Sequence, residues 1–478
     1  MKRLFSIAVL ISIVCMCANA ALQLKITQQN KSGYKLTLVG LTDPDAKVTV
    51  NGNPVHVYHS GSFGTTVDLG MGDNTIKVLA KKGRDTAEKT INIHHQASLT
   101  PTKEKEPIIL KEANFNGKTK DGAYLLYSDG TDRLGGSKMG YIAEGVVLKV
   151  VGTEKVSSNT YHRVRLSENR DAYIPDEYIE KTLDTQRTVN TGSWRVKNAG
   201  NVDRVTISLP YRQAYCSYTE IDPATIYVDI FSARCNSNWI TQMDGLEMID
   251  WVDFRQVESD VVRAVIRLKK KANWGYSIYY SGKALTIDVR HTPSSRIQDL
   301  TIGLDAGHGG KYPGAVSNSG LTEKEINLKL VMLVKERLEK RGAKVVLSRE
   351  DDSQVDMSER NRIFRDAKVD LAISIHNNAG GSPLDEMGTS TYYKHSFCRP
   401  LAATMRRHLL GLGLKDFGLT GNFNFALNQP TDYPTALLEV LFMSSLPDEE
   451  KLLDPKWQRR IADAVVEGIL DYISSCKE

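Results

Sequence analysis

Four side chains carry the chemistry this sequence offers: His308, Glu323, His376 and Glu439. His308 follows a short apolar strand in Leu304-Asp305-Ala306-Gly307-His308-Gly309-Gly310, and His376 ends another in Ile373-Ser374-Ile375-His376-Asn377-Asn378. Glu439 lies within the apolar run Leu437-Leu438-Glu439-Val440, and Glu323 opens a long helical pattern. In open α/β sheets, ligands bind beyond the carboxyl ends of the strands, where both histidines fall. Two imidazoles and a carboxylate suit Zn2+, which keeps three protein ligands in catalytic sites. A second carboxylate is then left as general base. Burial beside Leu437, Leu438 and Val440 would tune Glu439 toward neutrality. The glycines after His308 permit close backbone approach. Taken singly, each residue has a plainer reading: a satisfied loop histidine, a structural strand-end histidine, a glutamate placed for the helix dipole. Glu439 is the exception, because a carboxylate inside an apolar strand needs a partner.

The elements that must position these groups follow from periodicity. Between residues 296 and 478, apolar strands alternate with helical patterns. Glu323–Arg341 reads as a helix with Ile326, Leu330, Leu333, Val334 and Leu338 on one face, ended by Gly342. Strands are expected at Thr301–Leu304, Ala343–Leu347, Leu371–Ile375, Thr389–Tyr393 and Ala436–Phe442. Helices are expected near Met357–Ala367, Pro400–Leu410 and Trp457–Ile473. Such alternation implies an α/β domain with a mostly parallel sheet and helices on both faces.

The chain has 478 residues, so several domains are expected. A charged fraction of 25% argues against wholesale disorder and against a polytopic membrane protein. A net charge of +5 does not favour nucleic acid as a partner. Lys2 and Arg3, an apolar run to about Cys17, and Ala18-Asn19-Ala20 predict a secretory signal peptide over 1–20. The mature chain is then expected in the periplasm or at the cell envelope, with no transmembrane segment. Export makes a Cys216–Cys235 bridge possible, and free thiols equally so. From 21 to 97 the pattern is strand-like, with an Asn51-Gly52 hairpin signal, and resembles an Ig-like β-sandwich. A polar linker is expected at 98–107. Residues 108–183 resemble an SH3-like β-domain, and 187–292 the AMIN domain, a β-sandwich that precedes the catalytic domain in some cell-wall amidases. Lys269-Lys270-Lys271 with Trp274 and Tyr276 reads as a solvated turn ahead of a sugar or anionic-polymer contact.

Residues 299–475 resemble the zinc-dependent N-acetylmuramoyl-L-alanine amidase domain of the amidase_3 family. The matching motifs are 304–310, Pro-Gly-Ala at 313–315, Gly-Leu-Thr-Glu-Lys-Glu-Ile-Asn-Leu at 320–328, Ser348-Arg349 with Asp351 and Asp352, 374–378, and 434–442. The resemblance implies His308, Glu323 and His376 as zinc ligands and Glu439 as catalytic base. It implies hydrolysis of the amide between the MurNAc lactyl group and L-Ala of peptidoglycan, in cell-wall remodelling and daughter-cell separation. Envelope or division proteins are possible partners of the upstream domains. Tyr312, Phe417, Ser445 and Arg365-Asp366 depart from the usual family residues. Only 12 positions separate His376 from Gly388, too few for the blocking helix that some relatives carry. Two other readings stay open: an inactive wall-binding or activator protein, and a zinc peptidase cutting within the stem peptide.

Overall fold

The structure is a computed structural model and describes residues 21–96, 110–128, 136–156, 158–236 and 239–476. The expected signal peptide and the 98–107 linker lie outside the described residues. The chain divides into two compact units, one ending at Ser98 and one beginning at Leu99.

The first unit is all strand. A three-stranded sheet and a four-stranded sheet, both antiparallel, supply a core that includes Leu36, Leu38, Val48, Val50, Phe63, Ile76 and Val78. Asn51 and Gly52 both adopt positive φ, 48° and 83°, between strands Lys47–Val50 and Asn53–Val55. That is the two-residue turn whose twist matches the flanking strands.

The second unit begins with a seven-stranded antiparallel sheet between Leu110 and Thr182. Next come a five-stranded and a four-stranded sheet around one core containing Trp194, Val196, Val205, Ile226, Val228 and Val262. These regions are joined by buried packing. Ala214, Phe231 and Val261 sit in the core of the seven-stranded module, and Arg170 pairs with Glu258 at 2.5 Å. Cys216 and Cys235 are free thiols. Trp274 and Tyr276 are each 1% exposed, so neither can present a surface to a polymer. Trp274 instead packs on Tyr472 in the core of the following domain, with ring centroids 5.6 Å apart.

That last domain contains β1 (Thr301–Ala306), α1 (Glu323–Lys340), β2 (Lys344–Leu347), α2 (Met357–Asp366), β3 (Leu371–Asn378) and β4 (Thr389–Tyr392). Then follow α3 (Arg399–Leu410), β5 (Asp416–Thr420), β6 (Thr435–Phe442), α4 (Leu446–Leu453) and α5 (Pro455–Ser475). The sheet order is β2-β1-β3-β6-β4-β5. The pairs from β2 through β6 are parallel, β4 runs antiparallel to β6, and β5 is parallel to β4.

Strand alternation sorts the side chains between two faces. Ile302, Leu304, Ile373, Ile375, Leu438 and Val440 join a core with Leu330, Val334, Leu401, Met405 and Ile469 of α1, α3 and α5. The opposite face carries Asp305, Ser374, His376 and Glu439. It meets α2 and the 421–434 segment through Phe364, Ala372, Leu427 and Tyr433. Strand β5 and helix α4 have no counterpart in the sequence reading. Both are short, and β5 (Asp-Phe-Gly-Leu-Thr) lacks a sustained apolar alternation. Among the described residues, no helix is long and apolar enough to cross a bilayer.

Candidate functional site

Each predicted group is delivered by a separate element to the carboxyl edge of the sheet. His308 follows β1 with φ of +64°, a left-handed conformation unusual for a residue with a side chain. His376 is on β3, and its Cα partner on β6 is Glu439, so both side chains leave the same face. Glu323 is the first residue of α1. The preceding Thr322 donates its backbone N–H to the Glu325 carboxylate at 3.1 Å, fixing the start of the helix.

The three elements meet at the Glu323 carboxylate. Its Oε2 lies 3.1 Å from Nε2 of His308, and its Oε1 lies 3.0 Å from Nδ1 of His376. The imidazoles stand edge to face with centroids 5.0 Å apart. One ligand atom from each of these residues falls within a 4.8 Å group, a possible three-residue metal site. Backbone N–H groups of Ala315 and Asn377 donate to the same carboxylate at 2.9 and 3.1 Å, and Asn327 Nδ2 does so at 3.2 Å. Burial pushes the Glu323 carboxyl up, but the hydrogen bonds from both imidazoles outweigh it and hold the group well below the usual carboxylate range.

Two glycines leave room for this arrangement. A Cβ on Gly307 would stand 2.3–2.5 Å from three atoms of the His376 ring. A Cβ on Gly314 would stand 2.4 Å from Glu323 Oε2 and 2.7 Å from His308 Cδ2. Nε2 of His376 is buried without a hydrogen-bond partner. A buried anionic carboxylate, the buried imidazole of His376 and the partly exposed imidazole of His308 form a donor set that suits a divalent cation of the zinc type.

The backbone before His308 is held by groups the sequence reading assigned no role. Buried Arg360 donates to Asp305 Oδ1 and the Ala306 carbonyl, both at 2.7 Å, and to the His308 carbonyl at 2.5 Å. Arg349 donates to the Ala306 and Gly307 carbonyls at 2.9 and 3.0 Å. Asp305 also accepts from Ser348 and Ser374, each at 2.6 Å. Arg360 could have been noticed as a charge four residues before Phe364 on the buried side of α2.

An aromatic wall borders His376. The Phe425 ring packs edge-on against it at 5.4 Å, Phe423 is 6.2 Å from Phe425, and Tyr392 is 4.6 Å from Phe423. The four departures from the usual family residues take up local tasks. Tyr312 lies under Lys311, Phe417 packs on Phe442 at 4.7 Å, Ser445 caps α4, and Arg365 approaches Asp432 at 3.6 Å. The 379–388 connection after β3 contains no helix.

Two family models match: N-acetylmuramoyl-L-alanine amidase over residues 302–471 and the AMIN domain over 193–289. The uncharacterized protein YqiI of Bacillus subtilis is 34% identical over 201 residues, which are 41% of this chain and 96% of that protein. N-acetylmuramoyl-L-alanine amidase LytC of the same organism is 31% identical over 215 residues, covering 44% of this chain and 42% of LytC. The chain thus spans less than half of the length of LytC. Among solved structures, the catalytic domain of CwlV, an N-acetylmuramoyl-L-alanine amidase from Bacillus (Paenibacillus) polymyxa var. colistinus, is 33% identical. The match covers 37% of this chain and 98% of that one, with a TM-score of 0.35.

Proposed function

The chain belongs to the N-acetylmuramoyl-L-alanine amidase family, and from that premise we propose that it hydrolyses the amide joining the MurNAc lactyl group to L-Ala in peptidoglycan. The observation that carries the proposal is the meeting of His308 and His376 on the Glu323 carboxylate, with Glu439 in register beside His376. In this reading His308, Glu323 and His376 hold one Zn2+. When bound, the ion supplies Lewis acidity to the scissile carbonyl and lowers the pKa of water. Glu439 removes the proton from the attacking water and returns it to the departing amine of L-Ala, so proton and amine balance. Asn327 and the Asn377 backbone keep the Glu323 carboxylate turned toward the imidazoles.

The rest of the reading follows the chain order: a signal peptide at 1–20, an Ig-like module at 21–97, a linker at 98–107, an SH3-like module at 108–183, an AMIN-like domain at 187–292 and the amidase domain at 296–478. It places the mature chain in the periplasm or at the cell envelope, acting in wall remodelling and daughter-cell separation. The two-layer antiparallel sandwich of the first unit supports the Ig-like label.

Digestion of purified sacculi by the full chain, with and without a chelator, tests the activity. Release of stem peptides with free L-Ala amino termini, abolished by chelation and restored by Zn2+, is the expected result. Cleavage inside the stem peptide would replace the amidase by a peptidase. No cleavage by zinc-loaded protein would overturn the enzymatic reading.

Gly307 gives a second expectation. Gly307→Ala places a methyl group against the His376 ring, so either the ring or strand β1 must shift. Zinc affinity, measured by competition with a chromogenic chelator, should fall about 10–100-fold, the range seen when groups orienting a metal ligand are altered. An affinity within twofold of the parent would show that His376 does not need its present orientation.

A further inference from the structure

We propose that the wall formed by Phe425, Phe423 and Tyr392 is a saccharide-stacking subsite that seats the glycan side of the scissile bond. The inference rests on the amidase reading and adds a direction to it: the sugar lies along the His376 side. An amide between a sugar lactyl group and a peptide must be approached with the sugar on one flank and the peptide on the other. Phe425, Phe423 and Tyr392 are all half-buried, so they are neither core residues nor fully exposed. They form an uninterrupted series of ring contacts outward from His376.

The chemistry of this wall suits a pyranose. The face of a sugar ring presents polarised C–H bonds, which the negative face of an aromatic ring attracts, while its hydroxyls remain at the edge. The Tyr392 hydroxyl accepts from the buried Ser390 hydroxyl at 3.1 Å, which fixes this ring at the end of the wall. Ser390 is itself the Cα partner of Glu439, which joins that end to the base along one row of the sheet. The wall's own side chains carry no charge with which to pair a peptide carboxylate. Lys394, two residues after Tyr392, is engaged by Asn422 at 2.8 Å and Ser137 at 3.4 Å. On the His308 side, Lys311 follows His308 by three residues, is exposed and stands over the Tyr312 ring at 5.2 Å. A stem peptide bearing carboxylates is better matched to that end.

The wall is also preorganised from outside its own domain. Asn424, between the two phenylalanines, donates to the Gly136 carbonyl at 2.9 Å and accepts the Lys138 backbone N–H at 3.2 Å. Further along the same segment, the Tyr276 N–H donates to the Thr431 carbonyl at 2.7 Å. The segment that carries the rings is therefore pinned by two upstream modules, which lowers the ordering cost of seating a ligand on it.

Two assays on the full zinc-loaded chain test the subsite. The first compares kcat/KM for a MurNAc tetrapeptide with that for a lactoyl tetrapeptide lacking the sugar. Phe423→Ala should lower the ratio of the two about tenfold, through KM, and Phe423→Trp should restore it. A ratio unchanged by Phe423→Ala, even with both rates reduced, would overturn the proposal, because a merely structural ring affects both substrates alike. The second measures binding of chitotetraose, which needs no hydrolysis. Affinity should weaken by a similar factor in Phe423→Ala, and equal affinity in both proteins would overturn the subsite. Sugar binding that depends on Phe423 in a chain that cleaves neither peptide would retain the subsite and reject the amidase.

Discussion

Glu439→Gln should lower kcat for stem-peptide release by about a thousandfold while leaving zinc content at the parent level. General acid–base catalysis by one positioned side chain contributes roughly 10²–10⁴ in rate, and the amide retains the shape of the carboxylate while losing its ability to take a proton. The geometry separates this residue from the metal group. His308, Glu323 and His376 gather their ligand atoms within 4.8 Å, and Glu439 stands outside that set on the neighbouring strand, paired in register with His376. It is still close enough for its charge to act on His376. Burial pushes that imidazole down, while the Glu323 hydrogen bond and the Glu439 charge, among others, more than offset it. The measurement is a comparison of kcat and KM on purified muropeptide, with metal stoichiometry determined on the same preparation. A kcat within tenfold of the parent would remove Glu439 as the base. Loss of the metal would move it into the ligand set instead.

The candidate site was legible in the sequence because strand ends carry their own signature. His308 follows the mostly apolar stretch Ile302–Ala306 and His376 the stretch Leu371–Ile375, each at or near the carboxyl end of a parallel strand. Glu439 was legible for the opposite reason, as a charge placed where an apolar residue would otherwise be expected. Long helices were equally plain, since α1 repeats its apolar residues through five turns. What periodicity does not record is which distant side chain satisfies a loop carbonyl. Arg360 reaches Asp305, Ala306 and His308 from a helix some fifty residues later, and only the folded sheet brings them together. The same limit explains Trp274. Three lysines precede it by three to five residues, which marks a solvated turn, yet its ring is buried against Tyr472 of α5. Contacts between modules have no local sequence pattern, and the pinning of Asn424 by residues 136–138 belongs to that class.

Arg360→Met should destabilise the second unit by about 3–5 kcal/mol, the range for removing one partner of a buried ion pair. The side chains of Arg360 and Asp305 are 2% and 1% exposed, so solvent cannot replace what is lost. Methionine fills much of the arginine stem's volume but leaves the Asp305 charge without its cation and the Ala306 and His308 carbonyls without this donor. The direction of the pH response distinguishes this cause from simple loss of packing. In the parent, burial pushes the Asp305 carboxyl up, and the Arg360 charge, followed by the His376 charge and the Ser348 and Ser374 hydrogen bonds, brings it below the ordinary carboxylate value. A carboxyl lowered in the folded state stabilises above its unfolded pKa and loses that contribution as pH falls through the folded value. Without Arg360, burial raises the folded pKa, and the stability of the protonated form is lost as pH rises instead. The gap in Tm between Arg360→Met and the parent should therefore narrow as pH is lowered from 7 toward 5. A gap that stays constant over that interval would assign the loss to packing alone. Arg360→Lys supplies the control for the donor pattern, since it keeps the charge but not the planar fork that serves Asp305, Ala306 and His308 together. If the fork holds the left-handed His308 backbone in place, the lysine variant should recover much of the stability yet still bind zinc more weakly than the parent. Equal zinc affinity in Arg360→Lys and the parent would show that His308 keeps its conformation without the fork.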